Sequence, residues 1–85
     1  MNQYRIEVRV TPREGLLDPE GNAVRNALRS LDFDEISQLG VGRLIRLVLP
    51  ARTAGEAHER VDAMCRQLLA NPVTEDYEIL LENIS

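Results

Sequence analysis

The chain opens with strict alternation. Tyr4, Ile6, Val8 and Val10 are apolar, and Arg5, Glu7 and Arg9 between them are charged. A period of two places successive side chains on opposite faces, so this segment reads as a strand with one buried face. The period then changes. Ala23, Val24, Ala27, Leu28 and Leu31 fall on one helical stripe, while Asn22, Arg25, Asn26 and Arg29 face away from it. Asp18 is a suitable N-cap for this helix, Pro19 suits its first position, and Glu20 puts negative charge where the helix dipole favours it.

The segment "FDEISQLGVGRLIRLVLP", from Phe33, carries a strand signal interrupted by Gly40 and Gly42. A hairpin turning at Leu39–Arg43 would give a ferredoxin-like βαββαβ order. One long strand, bent at a bulge near the glycines, is the other reading. No Asn-Gly or Asp-Gly turn supports the hairpin, so the long bent strand is favoured. Such a strand outruns a small sheet, and its far half would need a partner chain.

A second helix follows in "TAGEAHERVDAMCRQLLAN". Thr53 and Glu56 form a capping box. Ala54, Ala57, Val61, Met64 and Leu68 make its stripe, with Cys65 just inside the edge. Asn71 can end the helix in a left-handed turn, and Pro72 cannot continue it. In "DYEILLENI", Tyr77, Ile79 and Leu81 point one way, and Glu78, Leu80 and Glu82 the other. Outward Leu80, joined by Leu44 and Val48, gives the second sheet face apolar character, which suggests self-association. The pattern therefore predicts one α+β domain over residues 1–85. It has an antiparallel sheet with two helices on one face.

Composition narrows the functions open to such a domain. A net charge of −4 argues against a nucleic-acid partner. All ten basic residues are Arg, which excludes lysine nucleophiles and Schiff bases. A single cysteine allows no disulfide within the chain and fits a reducing cytoplasm. The opening residues do not resemble a signal peptide, and no apolar run is long enough to span a membrane.

Candidate chemistry is sparse. His58 and Cys65 are seven residues apart on one helix, about 10 Å along its axis, beyond hydrogen-bond reach. Cys65 reads as a small buried hydrophobe and His58 as a boundary residue. One His and one Cys do not make a zinc site from the usual ligands. Glu75, Asp76 and Glu78 form the densest acidic group, a solvated turn or a contact for an Arg-bearing partner. "LGVGR" does not lead from a strand into a helix, so it is no phosphate loop; strand bulge or close backbone contact fits better.

Three stretches carry a resemblance: "LLDPEGNAVRNAL" from Leu16, "DEISQLGVGRLIRLVL" from Asp34 and "MCRQLLANPVTEDYEI" from Met64. With them the chain resembles, over essentially its whole length, the PurS family of small subunits of phosphoribosylformylglycinamidine (FGAM) synthase. Where that family usually has a basic residue, any residue and then Gly-Lys, this chain has Gly40, then Gly42 and Arg43. The charge at Gly40 is lost and that at Arg43 kept. The resemblance implies a PurS-like fold related to the ferredoxin-like one, with a segment-swapped dimer, which also supports the long strand.

It further implies a non-catalytic bridging subunit in de novo purine biosynthesis. Such a subunit assembles a large ATP-dependent synthetase and a glutaminase, and aids ammonia transfer between them. The complex is a carbon–nitrogen ligase using glutamine, ATP and Mg²⁺. No catalytic, cofactor or metal residues are expected in this chain, which would be cytoplasmic and a dimer or tetramer. Asp18, Pro19, Gly21, Gly42, Arg43, Asn71, Pro72, Glu75, Asp76 and Tyr77 are the candidate partner-docking residues. An alternative is a stand-alone ACT-type domain sensing a small molecule.

Overall fold

The structure is a computed structural model that describes all residues of the chain except Leu17. Its order is β1 (Asn2–Pro12), α1 (Pro19–Ser30), β2 (Arg43–Ala51), α2 (Ala54–Met64), a π-helical turn (Cys65–Leu69) and β3 (Glu75–Asn83). The three strands form an antiparallel sheet in the order β2-β1-β3. No described helix is long and apolar enough to cross a membrane.

The alternating pattern of β1 sets the core. Tyr4 pairs with Leu49, Ile6 with Leu47 and Leu81, and Val8 with Ile45 and Ile79, so the apolar positions of all three strands share one face. Ile6, Val8 and Val10 are fully buried there. Burying each such side chain contributes roughly 1.5–3 kcal/mol before entropy is counted. Ala57, Val61 and Cys65 of α2 and the π-helical turn close over that face. On the opposite face, Leu44 and Val48 remain about half exposed among charged neighbours.

The second strand is one element, and the hairpin is absent. Its register against β1 runs without interruption from Asn2↔Ala51 to Val10↔Arg43, so there is no bulge in the ladder either. The ladder is shorter than expected. It begins at Arg43, and residues 34–42 lead into it without a partner strand within the chain. Gly42 marks the close approach: a Cβ there would lie 2.2 Å from the Val10 carbonyl oxygen. Of the two readings of Gly40 and Gly42, bulge or close backbone contact, Gly42 answers to the second.

Helix α1 departs from the expected two-helix layer. No α1 residue belongs to the buried cluster or packs against it. Its apolar stripe is left largely open, with Val24 39% and Leu31 66% exposed. Gly21 is buried and Arg25 and Leu28 are half-buried, so the side turned to the chain takes only Leu28 from the stripe and includes Arg25, which was assigned to the outer face. The molecule is accordingly long, 52 × 25 × 15 Å, with a radius of gyration of 16.4 Å. A compact chain of this length would have about 12 Å.

Both ends of α1 are well built nonetheless. Asp18 Oδ1 accepts the Gly21 amide at 3.0 Å. At the other end Asp32 takes φ 72°, the left-handed conformation. Phe33 then donates to the Leu28 carbonyl and Asp32 to that of Arg29, the paired bonds of a Schellman motif.

The end of α2 corrects two expectations. Ala70 donates to the Cys65 carbonyl, a bond spanning five residues, so the last turn is π-helical. The wider turn rotates Leu68 out, leaving it 81% exposed, and brings Leu69 against the core in its place. Ala54, also assigned to the stripe, is exposed. Asn71 is not left-handed: among described non-glycine residues only Asp32 has positive φ. Ala70 ends the turn in an extended conformation, and Asn71 Oδ1 then accepts the Val73 amide. That side-chain bond turns the chain without a left-handed residue.

Candidate docking site at one end of the sheet

The fold gathers the sequence's candidate residues at one end of the sheet. Val10 pairs with both Arg43 and Tyr77, and Pro12 with Glu75, so the end of β1 meets the starts of β2 and β3. The loop after β1 joins them. Arg13 donates its backbone amide to Thr74, its Nη2 to the Pro72 carbonyl and its Nε to Asp76. Asp18 Oδ2 accepts the Val41 amide at 3.2 Å, which ties the start of α1 to the approach of β2. Gly21 completes that contact, since a Cβ would come within 2.7 Å of the Leu39 carbonyl oxygen.

Arg43 is the centre of the arrangement. Nη1 lies 2.9 Å from Glu75 Oε2, and Nη2 lies 3.0 Å from Glu75 Oε1 and 2.7 Å from the Leu69 carbonyl. Glu75 also accepts the Asn71 amide at 2.8 Å. One guanidinium therefore clamps the carbonyl at the end of the π-helical turn and the carboxylate that opens β3. A lysine ammonium cannot reproduce this planar fork. The Arg43 hydrogen bond, and then the Asn71 amide, hold the Glu75 carboxyl below its usual range.

Behind this end, Tyr77 donates its hydroxyl to Asp62 on α2, and Asp62 in turn accepts from Arg66. The Tyr77 bond keeps the Asp62 carboxyl low, and Asp62 raises the Tyr77 hydroxyl. Burial raises the Cys65 thiol, with the Asp62 charge adding to it. Cys65 is buried while His58 is exposed on α2, so the two do not share an environment.

Most of the ten candidates are committed within the chain. Asp18, Gly21, Gly42, Arg43 and Glu75 hold its own loops together, and Tyr77 is bonded to Asp62. Pro19, Asn71, Pro72 and Asp76 are exposed, and of these Asn71, the Pro72 carbonyl and Asp76 also bond within the chain. Sequence reasoning missed Arg13, which ties the first loop to the 71–76 connector, and exposed Leu68 just before that connector; Val73 within it is exposed as well. Arg13 carries no local signal, because its partners lie about sixty residues away.

Known proteins share this fold over nearly the whole chain. The profile of the PurS family, described as phosphoribosylformylglycinamidine (FGAM) synthase, matches residues 5–83. The FGAM synthase subunit PurS of Synechocystis sp. is 42% identical over 76 residues, covering 89% of this chain and 76% of the relative. The crystal structure of Methanocaldococcus jannaschii PurS, described as one of the subunits of formylglycinamide ribonucleotide amidotransferase in the purine biosynthetic pathway, is similarly close. It aligns with a TM-score of 0.80 at 34% identity, over 96% of this chain and 99% of that one. A chain of the PurLQS structure from Thermotoga maritima aligns with a TM-score of 0.82 at 30% identity, over 99% of this chain and 100% of that one. The three-stranded antiparallel sheet and its flanking helices are thus a shared fold, and the chain belongs to the PurS family.

Proposed function

We propose that this chain is the non-catalytic bridging subunit of FGAM synthase, a glutamine-dependent ligase of purine biosynthesis. The observation that carries this reading is the match to a chain of PurLQS, over 99% of this chain and 100% of that one. In this role the chain joins a large ATP- and Mg²⁺-using synthetase to a glutaminase in the cytoplasm. ATP and Mg²⁺ act in the large subunit. Ammonia released into bulk water becomes protonated and is lost as a nucleophile. A rigid module that seals the route between the two active sites preserves it.

The open α1 supports self-association as part of the role. An amphipathic helix held at one end, with its stripe exposed, is unfinished within one chain. A second copy carrying the same stripe can complete it by exchange of segments, and a symmetric pair is the commonest way to close such a surface. The long approach at 34–42, which lacks a ladder partner in the chain, has the same need.

Partner docking is assigned to the end of the sheet described above. Its exposed surface is Pro19, Asn71, Pro72 and Asp76, with Arg13, Leu68 and Val73 beside them. Glu75 is a poor probe of docking, because it holds Arg43 and the Asn71 amide. Asp76→Arg combined with Val73→Asp is the cleaner test. It should weaken capture by the other subunits at least tenfold, while the isolated chain keeps its oligomeric state and loses no more stability than an exposed ion pair to Arg13 supplies, about 0–1 kcal/mol. Unchanged capture would remove this end of the sheet from the interface.

The role itself is tested by reconstitution. Glutamine-dependent activity of the large subunit with the glutaminase should require this chain, whereas ammonia-dependent activity should require it far less. Full glutamine-dependent activity without it would overturn the reading.

A further inference from the structure

The loop after β1, the first turns of α1 and residues 37–40 enclose a cleft of about 430 Å³. Most of its polar groups are already satisfied. Both oxygens of Asp18 accept backbone amides, from Gly21 and Val41. Glu14 accepts the Gln38 side-chain amide at 3.0 Å. Arg13 is engaged by Asp76 and the Pro72 carbonyl.

What is left over is a set of donors. Arg25 takes part in none of the ion pairs among the described residues. Its Nε is buried and has no hydrogen-bond partner there. Asn22 and Ser37, with an amide and a hydroxyl, line the same cleft. Asn22 and Arg25 are three residues apart on α1 and therefore share a side of the helix. A buried donor without an acceptor is costly, more so when charged. The guanidinium fork matches the paired oxygens of a carboxylate or phosphate.

We propose that this cleft is an oxyanion site, in which a carboxylate or phosphate group binds Arg25 and is completed by Asn22 and Ser37. The group comes either from a free small molecule or from a carboxylate side chain of a second copy of the chain. Neither source requires the bridging role to be correct.

The test uses the whole chain. Inorganic phosphate and, separately, acetate are titrated while backbone amide shifts of Asn22 and residues 37–40 are followed by NMR. Saturable shifts are expected. Arg25→Gln should weaken them at least tenfold, and Arg25→Lys should retain part of the affinity for phosphate. Circular dichroism melts report whether each variant folds, and Asn22→Ala gives a milder loss should Arg25→Gln fail. Sedimentation separates the sources. If the oxyanion belongs to a second copy, Arg25→Gln weakens self-association at least tenfold and phosphate competes with it in the wild type. Shifts that are absent, or equal in wild type and folded variants, together with unchanged self-association, would overturn the proposal.

Discussion

β1 and α1 are both amphipathic, yet only β1 has its apolar side covered within the chain. Tyr4, Ile6, Val8 and Val10 are buried between β2, β3 and α2, whereas Val24 and Leu31 of α1 face outward. The difference lies in what each element can reach. β1 is the central strand and gains ladder bonds on both sides. α1 is fastened at its start, where Asp18 and Gly21 meet residues 39–41, and projects away from the sheet. Amphipathicity therefore specifies that a surface must be covered, and leaves open which molecule covers it.

The largest expected effect lies on the covered side. Ile6→Ala should destabilise the chain by about 2–5 kcal/mol, the range for truncating a fully buried aliphatic side chain, measured by urea denaturation. Val24→Asp with Leu31→Asp should barely alter folding of the single chain, yet reduce self-association at least a hundredfold by sedimentation. An equal loss of stability in both variants would erase the contrast between the two elements.

A sharper version lies within α2. Leu69→Ala should cost about 1–2 kcal/mol, in the lower range for a partly buried side chain. Leu68→Ala should stay within about 0.5 kcal/mol, as for exposed substitutions. A regular α-helix would reverse that order, so the pair reports directly on the π-helical turn.

The smallest effect is on pH dependence. The Glu75 carboxyl is held low in the folded chain by Arg43 and the Asn71 amide. Its contribution is therefore complete above the ordinary glutamate range, near about 4.3, and is lost as pH falls through its lower folded value. Asp62, held low by Tyr77, acts with the same sign. The acid side of the stability curve should flatten in Glu75→Gln, read as melting temperature between roughly pH 3 and 6. An unchanged slope would show that the Arg43 clamp adds nothing to folding.

Much of this was legible in the chain itself. The alternation at Tyr4–Val10 and at Tyr77–Leu81 identifies both strands and their buried faces, because a period of two has only two solutions. Asp18-Pro19 and Thr53 mark helix starts through local bonds that any chain can form. The π-helical turn was not legible, since one extra residue in a turn leaves no compositional trace. It moved the core position from Leu68 to Leu69. The Glu75 acid looked free for a partner because its cation, Arg43, is thirty-two residues away. The docking surface was legible only as a set of unusual connectors. Only the register, which sets Val10 against Arg43 and Tyr77 and Pro12 against Glu75, brings these connectors to one end of the sheet.

As the proposed bridging subunit, this chain holds two larger subunits together. Sedimentation velocity of the large synthetase subunit and the glutaminase, mixed with and without this chain, tests it most directly. The account predicts a single faster boundary containing all three proteins, which reverts to separate boundaries when this chain is omitted. Equal association of the two large partners in its absence would contradict it.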